Sequence, residues 1–259
     1  MIMIDKLSYS SKLRYKSPCL KSFFAISTLI ICVAARSFII SLITLLIMGG
    51  LTVYNSRTSY KYYIKLFMLP LLFLLFSTIT IIVNIADEPM STIALPIFHK
   101  FIMIRKDSIY FAINLILTSL GSISCLFFLS LTTPSTDLLY VLERIHCPYL
   151  IIELLLLIYR FIFVVLDMAT AISTSQKCRL GNKDMKTSIK SMSELLTMLL
   201  IRALKKSSLL YDAMESRCYD GTIRVLNESN KASKREVISV TIFEVIMIGI
   251  CFVQRSFYG

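Results

Sequence analysis

Two arginines, Arg179 and Arg217, stand where long helical patterns stop. A guanidinium is a rigid fork of five donors, able to pair with carboxylates or helix-end carbonyls of another chain. A cation is equally favoured at the C-terminus of its own helix, so partner recognition and self-capping both stay open. Ala213 lies four residues before Arg217 and shares its helix face. Glu215 and Asp220 flank that arginine and suit intramolecular pairing or capping.

The remaining reactive side chains form no catalytic set. Glu153, Arg160 and Asp167 fit interhelical or partner pairing, and no nucleophile–base–acid arrangement can be assembled. Glu244, inside an apolar run, fits either a proton or ion pathway or a polar contact to a neighbouring helix. The chain has two histidines, His99 and His146. Neither has a second pair at ligand spacing, so no metal site is expected. Seven scattered cysteines read as small apolar packing residues. Gly181-Asn182-Lys183 is too short for a phosphate-cradling loop. No cofactor is therefore expected in this chain; were ATP and Mg used, another chain would have to hold them.

The elements that position these groups follow from composition. The 259 residues are 56% hydrophobic with a mean hydropathy of +0.73. Charged residues are 17% of the chain, against about 25% in soluble domains. The apolar residues come in long runs, which predicts an all-α, polytopic membrane protein with about five spans. Four spans are read at Ser22–Ala35, Ser37–Ser56, Leu66–Ala86 and Ile109–Leu131, and a fifth at Val237–Gln254. The first is short: fourteen residues at about 1.5 Å each reach about 21 Å. Lys21 and Arg36 would have to snorkel, with the first two spans paired in a tight hairpin. The basic N-terminus before an apolar run has the shape of a secretory signal. A second run follows at once and no small-residue cleavage site stands out, so it is read as retained.

Charge orients the spans. Of 28 basic residues, five lie in the first 21 positions, three in 57–65 and fifteen in 132–236. This places the N-terminus in the cytoplasm and explains most of the net charge of +12. So apolar a chain is a poor partner for nucleic acid; its natural partner is the lipid bilayer. The organisation is a membrane domain at 1–131, a helical cytoplasmic domain at 132–236 and a last span within 237–259. Tyr149–Leu166 is interrupted by Glu153 and Arg160, and is read as a helix packed under or partly within the membrane, with a sixth span as the alternative.

Within 132–236, Pro148 starts a long helix towards Arg179, ended by Gly181 and Asn182. A second runs from about Ser188 to Arg217 and is closed by Gly221. Its apolar residues Leu196, Leu199, Leu200, Ala203, Leu204, Leu210, Tyr211 and Met214 recur at three and four, with Arg202, Lys205 and Lys206 opposite. Such a helix lies on its neighbours, along the membrane interface or against a partner.

The two helix ends carry a resemblance. They read Ala171-Ile-Ser-Thr-Ser-Gln-Lys-Cys-Arg179-Leu-Gly181 and Tyr211-Asp-Ala213-Met-Glu215-Ser-Arg217-Cys-Tyr219-Asp220-Gly221. The second resembles the Ala-Met-Glu-Ala-Arg-Gly-Tyr-Asp-Gly signature of the transmembrane T component of energy-coupling factor transporters, CbiQ and EcfT, and in particular the cobalt-transport permeases. Leu142 to Phe161 and Ile4 to Arg14 are similar to that family in the same order. The family's paired Ala-Arg-Gly is here Cys178-Arg179-Leu180 and Ser216-Arg217-Cys218. Both arginines and a small residue before each remain; the glycines do not, which puts the helix-end geometry in question.

The resemblance implies a non-catalytic subunit in a prokaryotic cell membrane. Two cytoplasmic ATPase subunits would receive the arginine ends, and a separate membrane subunit, of the CbiM or S-component kind, would capture the substrate. The implied contact residues are Arg179, Arg217, Ala213, Ser216, Cys178, Glu215, Gly181 and Gly221. Cobalt is the substrate favoured by the resemblance; nickel or a vitamin would fit the same scaffold. Two other classes stay open: an ion-coupled carrier using Glu244, and a membrane enzyme acting on lipid through Glu153, Arg160 and Asp167.

Overall fold

The computed structural model describes residues 3–55, 60–82, 84–86, 94–97, 100–103, 106–221, 223 and 232–258. The described chain is almost wholly helical, as its apolar runs predict. Its helices are α1 (Met3–Ser10), α2 (Pro18–Ala35), α3 (Phe38–Asn55), α4 (Tyr60–Ile82), α5 (Lys106–Thr132), α6 (Ser135–Arg144), α7 (Tyr149–Cys178), α8 (Met185–Glu215) and α9 (Lys234–Tyr258). Between α4 and α5, three short strands pair antiparallel in the order β1-β3-β2: β1 (Asn84–Ala86), β2 (Ala94–Ile97) and β3 (Lys100–Met103). β1 takes the last residues of the expected span Leu66–Ala86, whose helix instead runs from Tyr60 to Ile82. His99 lies outside the described residues.

Five helices are long and apolar enough to cross a membrane by length and composition: α2, α4, α5, α7 and α9. Their number agrees with the expected spans, but one member differs. The apolar part of α3, Phe38–Tyr54, is a shorter helix, whereas α7 qualifies. Glu153 and Arg160 are two charges in a 30-residue helix, and the apolar residues around them outweigh both. No residue of α7 is buried within the chain.

The first span also differs from expectation. Pro18 occupies the first turn of α2, where its fixed φ and missing N–H cost nothing, so the helix reaches 18 residues rather than fourteen. Lys21 then lies inside the helix. It does not snorkel: it is only 6% exposed, and its ammonium donates to the carbonyls of Leu13 at 3.1 Å and Thr132 at 3.0 Å. Asp137 lies nearby; burial lifts its carboxyl above the usual range, against the opposing charges of Lys21 and Arg14. The tight hairpin after α2 is present, turned by Arg36 at φ 44°.

The chain divides into two compact units, Leu142–Asn227 and a second made of Ile2–Val141 with Glu228–Gly259. In the second, α5 is central and packs against α1, α2, α3 and α4, while α9 lies on α2 and α3. Leu13, Phe24, Ala25, Met48, Cys125 and Phe128 form its core. Close approach is set at Gly121, where a Cβ would stand 3.1 Å from the Ser41 carbonyl and 3.2 Å from Cys32 Sγ; small residues serve this purpose between membrane helices. Buried hydroxyls return to their own helices: Thr28, Thr44, Thr52 and Thr132 each donate to the carbonyl four residues back, so none needs water. Glu244, 7% exposed, accepts from Ser27 Oγ at 2.6 Å and Thr28 Oγ1 at 2.9 Å. That is the polar contact to a neighbouring helix weighed from the sequence.

Candidate functional site

The other unit is built on α7 and α8, which run antiparallel. Pro148 precedes α7, as its fixed φ predicts, and residues 179–184 make the return. Near that return, Gln176 Nε2 donates to the Ser191 carbonyl and Ser191 Oγ to the Gly181 carbonyl, both at 2.8 Å. At the far end the Tyr219 hydroxyl donates to the Glu153 carboxylate, and the Tyr149 hydroxyl donates to the Ile223 carbonyl at 2.9 Å. The hairpin is therefore pinned at both ends.

Both helices stop by the same backbone device. After α7 the Gly181 N–H reaches back five residues to the Gln176 carbonyl, and the Leu180 N–H reaches the Lys177 carbonyl. After α8 the Tyr219 N–H reaches the Met214 carbonyl, and the Cys218 N–H reaches the Glu215 carbonyl. Leu180 and Cys218 are left-handed, both at φ 58°. These are Schellman closures, and Arg179 and Arg217 occupy the same place in each, immediately before the left-handed residue. A third follows α6, with His146 at φ 65° and Cys147 N–H bonded to the Leu142 carbonyl.

This corrects the expected endings. Gly181 and Gly221 do not supply the helix-terminating conformation; Leu180 and Cys218 do, at the positions where the resembling signature has glycine. The left-handed closure thus forms without those glycines, at a strain of about 1–2 kcal/mol per left-handed non-glycine residue. Gly181 is needed for space instead: a Cβ there would stand 2.8 Å from Ser191 Oγ and 2.9 Å from the Gln176 carbonyl. Gly221, at φ +85°, turns the chain three residues past the closure, in open space.

The named site residues separate into two groups. Cys178, Arg179 and Gly181 lie at the return, and Ala213, Glu215, Ser216, Arg217 and Gly221 at the opposite end. All but the half-buried Gly181 are exposed. The 31 residues of α8 at about 1.5 Å each put the arginines roughly 45 Å apart. Neither guanidinium forms a salt bridge with a carboxylate among the described residues.

At the Arg217 end a cleft of about 450 Å³ opens between the helices, with Leu156, Leu157, Leu210 and Met214 in its wall and Arg160, Arg217 and Asp220 beside them. The Tyr219 hydroxyl is pushed up to about 12, mainly because it hydrogen-bonds the Glu153 carboxylate, with desolvation and that carboxylate's charge adding to the effect. Glu153, Arg160 and Asp167 are seven residues apart along α7, so neighbours in the set are separated by about 10 Å along the axis. No three His, Cys, Asp or Glu side chains stand close enough to hold a metal ion among the described residues. The Glu153–Tyr219 and Gln176–Ser191 ties escape sequence reasoning, because nothing local marks Tyr219 or Ser191 as a partner.

Residues 10–227 match the CbiQ family, described as cobalt transport protein. The chain is 31% identical over 255 residues to an uncharacterized protein of Methanocaldococcus jannaschii, covering 98% of this chain and 94% of that one. It is 29% identical to the cobalt transport protein CbiQ of Salmonella typhimurium, covering 85% and 98%. It is 30% identical to the putative fused cobalt transport protein CbiMQ of Methanocorpusculum labreanum, covering 96% of this chain and 41% of that longer one.

Proposed function

We propose that this chain, which belongs to the CbiQ family of cobalt transport proteins, is the energy-coupling subunit of an ATP-driven uptake transporter for cobalt. One observation carries the reading: two identical helix closures display two exposed arginines at opposite ends of one pinned hairpin. Two ATPase subunits, one at each end, would each take an arginine into a groove lined by carboxylates or carbonyls. A hairpin tied at both ends moves as one body, so closure of the ATPases on ATP would tilt it as a unit. That tilt would be passed to a membrane subunit holding the metal. The fused CbiMQ relative supports a CbiM-like protein as that subunit. The N-terminus and both arginine ends would lie on the cytoplasmic side of the cell membrane, which requires α7 to lie along the membrane rather than across it.

The test is co-purification. Arg179→Glu combined with Arg217→Glu should leave the protein in the membrane and detach the ATPases. Undiminished co-purification of both ATPases would overturn the assignment.

A second reading rests on Glu244. Its Oε1 accepts two hydrogen bonds, but Oε2 is buried with no partner among the described residues, which favours an ion-coupled carrier more than any other observation does. Gradient-driven cobalt uptake by liposomes containing this chain alone would establish that reading instead.

A further inference from the structure

The bundle of α2, α3, α5 and α9 holds an apolar crevice at the end where α2 and α9 begin and α3 and α5 finish. Its volume is about 290 Å³, room for roughly ten water-sized groups. Phe24, Phe128 and Phe243 close its floor, with Phe24 edge-on to both others at 5.8 and 5.6 Å. Leu20, Leu51 and Val240 form walls.

The mouth is different in kind. Lys16 and Glu236 stand across it and pair at 2.9 Å, with the lysine side chain 50% exposed. Of the residues that line the crevice, Lys16 and Lys21 are basic against the single carboxylate of Glu236. Exposed Lys12, whose ammonium lies over the Tyr54 ring, precedes wall residue Leu13, and exposed Lys234 and Arg235 precede Glu236. Two helix N-termini add positive partial charge.

We propose that this crevice binds one anionic glycerophospholipid from the leaflet on the N-terminal side. An acyl chain fills the apolar part and the phosphate sits among the lysines at the mouth. In a membrane the chain alone gains little, since the bilayer is as apolar as the crevice. Selection must then come from the headgroup, at about fivefold in affinity per basic residue near the surface. Glu236 competes with the phosphate for Lys16, so the ion pair is the closed form of the mouth.

The two partners consequently carry opposite signs. Delipidated full-length protein in detergent would be titrated with phosphatidylglycerol or phosphatidylcholine of matched chains, with retained lipid counted by native mass spectrometry. About one phosphatidylglycerol per chain should be retained, several-fold more tightly than phosphatidylcholine. Lys16→Gln should weaken phosphatidylglycerol about fivefold, and Glu236→Gln should tighten it by a similar factor. Val240→Trp, which fills the crevice, should abolish stoichiometric retention. Equal binding of the two lipids would overturn the proposal. So would weakening by both Lys16→Gln and Glu236→Gln, the mark of a purely structural ion pair; this pair decides the matter even if Val240→Trp fails to fold.

Discussion

The phenol of Tyr219 donates to the carboxylate of Glu153, tying the segment beyond α8 to the second turn of α7. The bond favours the neutral phenol and raises its pKa to about 12 from an ordinary 10. A group whose folded pKa is raised contributes stability below its unfolded pKa and loses it as pH rises through the folded value. The tie should therefore be intact below about pH 9 and fail between about pH 10 and 12. Phenolate absorbance of the wild type minus that of Tyr219→Phe would give the titration. In the variant, amide exchange at 216–221 should be faster already at neutral pH.

Leu180 and Cys218 hold left-handed backbone that glycine adopts freely. Glycine gives back some of the relief through its more flexible unfolded chain. Leu180→Gly and Cys218→Gly should each stabilise the protein by about 0.5–1 kcal/mol, seen as a higher Tm in detergent. Cys218→Val should do the reverse, since β-branched residues tolerate positive φ worst.

Gly181 and Gly221 should respond to alanine for different reasons. At Gly181 the added methyl meets a backbone carbonyl and a buried hydroxyl, an overpacking cost of about 1–3 kcal/mol. Ser191→Ala should recover part of it by removing the hydroxyl. At Gly221 the space is open and only the positive φ opposes alanine, so Ser191→Ala should bring no rescue. Thermal unfolding of the two double variants separates the mechanisms.

Lys21 joins the turn before α2 to the end of α5 through two carbonyls. Lys21→Met keeps the bulk and strands both acceptors, a loss of about 2–4 kcal/mol. It also removes the cation that offsets the burial of Asp137. The Asp137 pKa, already raised, should rise further. A native state that holds its proton more tightly than the unfolded state loses stability as pH rises through the carboxyl range. The variant should therefore show a steeper fall in Tm from mildly acidic to neutral pH than the wild type.

Much of the architecture was legible because bilayer helices leave a coarse signal. Apolar runs bracketed by charges locate the spans, and Pro148 marks the start of α7. A charge is a poor boundary where the protein can solvate it. Lys21 was placed outside its span, yet two carbonyls stand in for water around it. Glu153 and Arg160 do not break the helix that Pro148 starts, which runs to Cys178 as the sequence predicts. The positions of Arg179 and Arg217 were legible from residue type. Their shared backbone setting was not, because left-handed closure was sought at glycines and occurs at a leucine and a cysteine. The ties that pin the hairpin join residues up to 74 positions apart, beyond any local pattern.

The nakedness of α7 makes stability a property of company rather than of sequence. Whatever covers that helix, lipid or protein, binds the folded form and raises its stability with the logarithm of its own concentration. The solitary chain and the surrounded chain are thus different thermodynamic objects. A melting temperature measured in one detergent describes that detergent's grip on α7 as much as it describes the fold.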